Sequence, residues 1–249
     1  MAIDQAIAQI HVQGTTPPTL RFYRWSPPCL SIGAYQHLRE EVNLEGCKAL
    51  GVDLVRRPTG GRAILHDQEL TYSIVARAYH PLVSGVILES YRKISAALVM
   101  GLHLLGVAAE LAPEPSREVH KSAACFDVPS AHEVTAGGRK ILGSAQVRKE
   151  GVLLQHGSLL LHADAARLHR CLILPPSLTP DVLAGRIAGL DEILGRSIDF
   201  AEVTEALVEG FLRSWGIELL PGDLTAEERA LAERLRAEKY ANEQWTTFR

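Results

Sequence analysis

The sequence predicts an α+β fold, a single domain with a small helical subdomain at its C-terminal end, and three observations carry that prediction. Up to Leu161 the chain is dominated by short apolar stretches that alternate with a two-residue period and are parted by Gly and Pro turns. One central run, Ser84 to Gly106, repeats instead at about 3.6 residues. After Leu161 the pattern changes to helices with capping signatures. The 249 residues amount to roughly 1.7 domain lengths at about 150 residues each. No stretch rich in Gly, Ser or Pro divides them into independent halves.

The elements follow in order. Ile3, Ala6, Ile7 and Ile10 share one helical face, and Gly14 stops that helix before Pro17 and Pro18. Leu20 and Phe22 alternate with Arg21 and Tyr23, and Leu30 and Ile32 with Ser31 and Gly33, giving two strands parted by Ser26, Pro27 and Pro28. Val52 to Val55 is a further strand, and a glycine-rich loop separates it from the alternating ELTYSIVARA. Val86, Ile87, Ile94, Leu98, Leu102 and Leu105 form the apolar stripe of the central helix, with Gly106 as its C-terminal stop. Pro113 to Lys121 is a charged, proline-broken loop. Glu133 to Gln146 reads as strand, Ala136-Gly137-Gly138 turn and strand, and Lys149-Glu150-Gly151 turns the chain again into Val152 to Leu161, a meander. Asp199 with Glu202, and Thr225 with Glu228, are capping-box pairs ahead of two later helices.

Composition narrows the function. With 47% hydrophobic and 22% charged residues the chain is an ordinary globular protein with a sizeable core, which excludes disorder, collagen and coiled coil. A formal net charge of -3 argues against a binder of long nucleic acid. The four cysteines, Cys29, Cys47, Cys125 and Cys171, show neither metal-ligand nor disulfide-framework spacing, so a reducing cytoplasm is expected. No apolar run reaches the 18 or so residues of a membrane span, and no targeting segment or anchor is expected. His66, His132 and His156 lack the spacing of ligand pairs, so no metal is expected.

Two constellations could carry chemistry. In Arg56-Arg57-Pro58-Thr59-Gly60-Gly61-Arg62, followed by His66 and Asp67, paired glycines let backbone donors approach a ligand while the arginines offer charge to an anion or a polarised carbonyl. The loop matches neither the Walker nor the Rossmann pattern, and a plain glycine turn with solvated arginines would look the same. The second is Cys125 with Lys140. A cation close to a thiol lowers its pKa by about two units and makes thiolate the main form, but on spacing alone a small buried cysteine and a surface lysine is the more common arrangement. A papain-like protease is set aside, because the residues around Cys125 lack that family's signature.

Four strings, RRPTGGRAILHDQELTYSIV, CFDVPSAHE, GGRKILGSAQVRKEGVLLQHGSLLL and KYANEQW, stand in the order found in the biotin/lipoate protein ligase superfamily, and together resemble its cysteine-dependent octanoyltransferases. The resemblance covers most of the chain. It implies a curved mixed sheet flanked by helices, with residues 1–195 as catalytic domain and 196–249 as a helical extension packed on it. It implies that Cys125 takes octanoyl from acyl carrier protein as an acyl-thioester, that Lys140 lowers the thiol pKa and orients the carbonyl, and that the lysine of an apo lipoyl domain then attacks. Such a domain would be a glycine-cleavage H protein or a 2-oxoacid dehydrogenase E2. Arg57, Thr59, Gly60, Gly61 and His66, with Gly143, Ser144, Ala145, His156, Gly157 and Ser158, would line the acyl and pantetheine cleft. No cofactor is implied, and a monomer is expected.

The sequence departs from that pattern in three places. Relatives usually carry a strand before MAID and none stands here, so either the start was set late or one sheet edge is missing. Ala131 and His132 stand where aromatic residues are usual, and a charged stretch, Glu114 to Lys121, fills the spacer before the cysteine. Three other activities remain open at this point: an ATP-dependent lipoate-protein ligase, an amidotransferase between lipoyl domains, and a non-catalytic lipoyl-domain binding protein.

Overall fold

Short strands rich in β-branched and aromatic residues pair into two sheets, and amphipathic helices cover both faces of the larger one. The structure is a computed structural model that describes residues 1–112 and 133–248. It opens with α1 (Ala2–His11), β1 (Thr19–Tyr23), β2 (Cys29–Ile32), α2 (Leu38–Glu41) and α3 (Leu44–Ala49). Then come β3 (Asp53–Arg56), β4 (Ile64–His66), β5 (Glu69–Arg77), α4 (Ile87–Leu104) and β6 (Ala109–Leu111). A meander of β7 (Val134–Ala136), β8 (Arg139–Lys149) and β9 (Val152–Leu160) follows. The rest is helical: α5 (Ala165–Cys171), α6 (Pro180–Ala184), α7 (Leu190–Leu194), α8 (Phe200–Trp215), α9 (Ala226–Leu235), a π-turn (Arg236–Tyr240) and α10 (Glu243–Thr247).

The larger sheet has the order β1-β5-β9-β8-β7-β6, and every neighbouring pair in it is antiparallel. The smaller has the order β3-β2-β4, with β2 parallel to β3 and antiparallel to β4. Mixed strand directions are therefore confined to the smaller sheet. Strands β1 and β2, adjacent in sequence, belong to different sheets. Pro27 and Pro28 between them offer no amide hydrogens with which a ladder could continue. In the meander, Gly137 and Gly138 both take positive φ, which the tight two-residue hairpin turn requires.

Alternation along β5 decides what each face of the large sheet meets. Leu70, Tyr72 and Ile74 point to the main core, where Ile94, Leu98 and Leu102 of α4 and Val203, Leu207 and Phe211 of α8 pack on them. Val75 points to the other face and meets Ile7 of α1, with Val152 and Leu154 of β9. A third cluster, including Leu30, Ile32, Ile64 and Leu168, joins the small sheet to α5.

Two local expectations are corrected. Val86 and Ile87 are 64% and 58% exposed, because Val86 is the cap residue and Ile87 the first helical residue, so the buried stripe of α4 begins later. The Thr225 and Glu228 capping box forms in both directions. At α8 the Asp199 side chain accepts from the Glu202 amide at 2.8 Å, but the Glu202 carboxylate is turned to Arg196. Among the described residues no helix is long and apolar enough to cross a membrane.

Candidate active site

The register of β5, β9 and β8 builds the site. Thr71 pairs with Ser158 and Ser158 with Gly143, while Ser73 pairs with His156 and His156 with Ala145. Directly paired residues of antiparallel strands share a face, so these six lie on the α1 side of the sheet. Ser144 lies on the opposite side by the same rule, which corrects the expectation that its side chain lines one cleft with His156 and Ser158, whereas Gly157 borders the cleft through its backbone. Ser144 Oγ stands 2.7 Å from Tyr72 Oη, and Gln155 Nε2 donates to that phenol at 2.8 Å. Burial pushes the Tyr72 hydroxyl up to about 12, against the pull of Ser144 and Gln155.

The glycine-rich loop between β3 and β4 folds over the cleft face. Thr59 Oγ1 lies 2.7 Å from His156 Nε2. A Cβ added at Gly61 would stand 3.9 Å from that of Ala145. The fold therefore brings Arg57, Thr59, Gly60 and Gly61 together with Ala145 and His156, residues far apart in sequence. A small cleft is bordered by Ser31, Arg57, His66, Thr71, His156 and Gly157, among others.

The loop's arginines serve the chain itself, which corrects the expectation that all three offer charge to a ligand. Arg56 is fully buried and donates to the carbonyls of Gly33, Gln36 and Thr246 at 2.8–3.2 Å. Arg57 borders the cleft, but its guanidinium donates to Gly60, Arg62 and Ser31 carbonyls and to Ser31 Oγ. Arg62 is paired with Glu41 at 2.9 Å. The guanidinium of Arg57 thus shapes the loop from within.

Two buried carboxylate and imidazole pairs support the cleft, and sequence inspection found only their histidines. Trp25 stacks on His66 with centroids 4.3 Å apart, and its indole donates to Thr71 Oγ1. The single hydroxyl hydrogen of Thr71 goes to Glu69, 2.7 and 2.9 Å from its two oxygens. His66 Nδ1, 3.7 Å from Glu69 Oε2, then carries the ring hydrogen, and Nε2 accepts from Ser31 Oγ at 2.8 Å. His156 Nδ1 lies 3.9 Å from Asp4 Oδ2, and Asp4 also accepts from Tyr23 and Ser73. Burial lowers both histidines from their usual range, against the carboxylates beside them. Burial alone would raise Asp4, but His156 and Arg21 hold it well below the carboxylate range.

Lys140 reaches the cleft face through an irregularity. The β7 to β8 register shifts between Val134 and Thr135, and Ile141 and Leu142 both enter the main core. Alternation then places Lys140 on the same face as Gly143. Its Nζ donates to Glu133 Oε1 at 2.6 Å, with both side chains almost wholly buried. Glu133 ends the string CFDVPSAHE, yet nothing in its spacing singled it out. Cys125 lies outside the described residues. Of the other cysteines, Cys29, Cys47 and Cys171 are free and buried, and burial pushes the Cys29 thiol up to about 12. Among the described residues no three His, Cys, Asp or Glu side chains converge as a metal site requires.

Comparison with known proteins gives this geometry a family. The octanoyltransferase LipM of Moorella thermoacetica is 48% identical over 251 residues, covering 98% of this chain and 92% of that one. LipM of Kyrpidia tusciae is 46% identical over 255 residues, with 98% and 92% covered. Among solved structures, a lipoate-protein ligase A bound with ATP superposes with a TM-score of 0.84 at 31% identity, covering 99% of this chain and 92% of the other. A bi-partite lipoate protein ligase from Thermoplasma acidophilum, studied with its E2 lipoyl domain, gives 0.80 at 28% identity, with 99% and 89% covered. The lipoyl protein ligase A/B catalytic domain matches residues 1–212, and the chain belongs to that family, within the biotin/lipoate protein ligase superfamily.

Proposed function

We propose that this acyltransferase moves an octanoyl group from acyl carrier protein, through a thioester on Cys125, to the lysine of an apo lipoyl domain in lipoate biosynthesis. The single observation that carries the reading is the identity of 48% over nearly the whole chain to an octanoyltransferase. The geometry supports it with a buried ammonium, Lys140, on the same face of the sheet as Gly143. The likeness to a ligase studied with its E2 lipoyl domain supports a lipoyl domain as acceptor.

In the first half-reaction the Cys125 thiolate attacks the donor thioester carbonyl, a new C–S bond forms, and the pantetheine thiolate leaves and takes a proton from water. In the second the acceptor amine attacks, the C–N bond forms, Cys125 leaves as thiolate and the amine proton passes to solvent. Exchange of one thioester for another is nearly isoenergetic and aminolysis to an amide is downhill, so the residues required are a nucleophile, a cation and oxyanion donors. Lys140 supplies the cation. Backbone amides between Gly143 and Ala145 supply donors on a stretch of β8 that, among the described residues, has no strand partner on its β7 side beyond Leu142. The depression lined by Leu65, Leu160, Leu168 and Ile187, together with Asp67, Glu69, His162 and Asp164, adjoins Lys140 through the bridge between Lys140 and Ile187. Its apolar residues offer an alkyl tail about 0.8 kcal/mol per buried methylene. The enzyme acts in the cytoplasm as a monomer, with residues 1–195 as the catalytic domain and 196–249 packed on it.

The test is incubation with octanoyl acyl carrier protein and an apo lipoyl domain without ATP, read by intact mass. Octanoyl gained by the acceptor, and an adduct on the wild type that Cys125→Ala abolishes, are the expected results. Transfer that survives Cys125→Ala and needs free acid and ATP would instead make the chain a ligase, the activity of its structural neighbour.

A further inference from the structure

Glu133 and Lys140 stand seven residues apart on either side of a hairpin, and backbone bonds pin both of them. The Ala112 amide donates to the Glu133 carbonyl at 2.7 Å. The Lys140 amide donates to the Arg186 carbonyl at 2.8 Å, and the Lys140 carbonyl accepts from Ala188 at 3.1 Å. A lysine normally carries its charge on a mobile, hydrated stem. Here the whole side chain is enclosed and its ammonium is set by a carboxylate.

We propose that Glu133 is a positioning residue of the transfer, fixing the Lys140 ammonium in place and in charge on the cleft face of the sheet. The inference rests on the roles of Cys125 and Lys140 given under the proposed function. An enclosed ammonium without a counter-charge sheds its proton, because burial penalises the charged form. A carboxylate at 2.6 Å opposes that loss and takes one of the three ammonium donors. A lysine held in this way serves as a fixed cation toward a thiolate or an oxyanion, and does not accept a proton from the incoming amine.

Other charges stand on the elements packed around Lys140. Arg139, on its own strand, is paired with Glu192 at 2.6 Å. Arg186 lends its carbonyl to the Lys140 amide, and beyond Ile187 the Asp191 carboxylate is paired with His162 at 2.7 Å. Glu133 is the described carboxylate in ion-pair contact with Lys140.

The experiment measures the rate at which octanoyl acyl carrier protein acylates Cys125, by intact mass, from about pH 6 to pH 10. Wild type, Glu133→Gln and Glu133→Asp are compared, each checked for folding by circular dichroism. Gln keeps the acceptor and the volume but removes the charge. The expected result is a wild-type rate that holds into alkaline pH. The Gln variant loses roughly tenfold or more above about pH 8 and less in acid, and Asp falls between them. A Gln profile of wild-type shape, whatever its absolute rate, overturns the proposal. If the Gln variant does not fold, the Asp variant decides: an alkaline fall supports the assignment, and a wild-type shape overturns it. A wild type that forms no adduct on Cys125 overturns the transferase reading itself, and this inference with it.

Discussion

Thr59 Oγ1 stands 2.7 Å from His156 Nε2, and this one bond fastens the glycine-rich loop to the middle of the large sheet. Both residues are buried, so water does not replace the bond when it is lost. Thr59→Val keeps the volume and strands the imidazole nitrogen, at an expected cost of about 1–3 kcal/mol. Urea denaturation reads that cost, and Thr59→Ser restores most of it. Because the loop borders the cleft, KM for the acyl donor is expected to rise more than kcat falls. Equal stability for Val and Thr at this position would show that the loop is held elsewhere.

Stability is expected to fall as pH drops from about 7.5 to 5.5. Burial lowers His11, His66 and His156 below their ordinary value, so the unfolded chain takes up protons first as the solution is acidified. The stability contributed by neutral imidazoles is complete above the unfolded value near 6.5 and is lost as pH falls through it. Asp4, also lowered, adds a loss of the same sign at more acid pH. Thermal melts across this range check the slope, and His156→Gln is expected to flatten part of it. A Tm that rises on acidification contradicts the assignment of neutral buried rings.

Local signals in the sequence were enough for α1, the β7 to β9 meander and the capped helices, because periodicity and turn residues act over a few positions. The direction of side chains in the site was not legible. Gly143, Ser144 and Ala145 look alike in the string, but alternation sends Ser144 to Tyr72 and leaves its neighbours on the cleft face. Lys140 shares the face of Gly143 only because the register slips at Val134 and lets Ile141 and Leu142 both turn inward. Asp4 and Glu133 were missed because their roles depend on partners that no local rule connects to them. The separation is short for Glu133 and Lys140, but Asp4 meets His156 from near the start of the chain, far away in sequence.

Gly157 is expected to tolerate no side chain. A Cβ there would lie 2.5 Å from Ser144 Oγ, 2.5 Å from Tyr72 Cε1 and 2.7 Å from the Gly143 carbonyl oxygen, and two of these atoms belong to a fully buried ring and to backbone. Gly157→Ala must push Tyr72 off Gln155 or spread β8 from β9, at about 1–3 kcal/mol. A melt of the variant measures the loss. Tyr72→Phe combined with Gly157→Ala separates the two routes: if the phenol is what moves, the two costs fall short of additive.

The C-terminal segment is expected to come loose when Arg56 is shortened. Arg56 donates through Nε and Nη2 to the Thr246 carbonyl, and through Nη1 to Gly33 and Gln36, while Trp245 Nε1 returns a bond to the Arg56 carbonyl at 2.8 Å. The ring of Phe248 lies 4.7 Å from its guanidinium carbon. A planar fork spans these acceptors in several directions at once, and a lysine ammonium is too compact to do so. Arg56→Lys therefore leaves buried carbonyls unpaired, and about 2–4 kcal/mol of stability is expected to go with them. The loss should be local first, since these bonds join α10 to β3. Limited proteolysis read by intact mass would then show cleavage near residues 240–248 at least roughly tenfold faster than in the wild type, before the rest of the chain is cut. Cleavage at the wild-type rate would mean that Trp245 and the Tyr240 bond to Gln5, at 2.5 Å, hold the segment without Arg56.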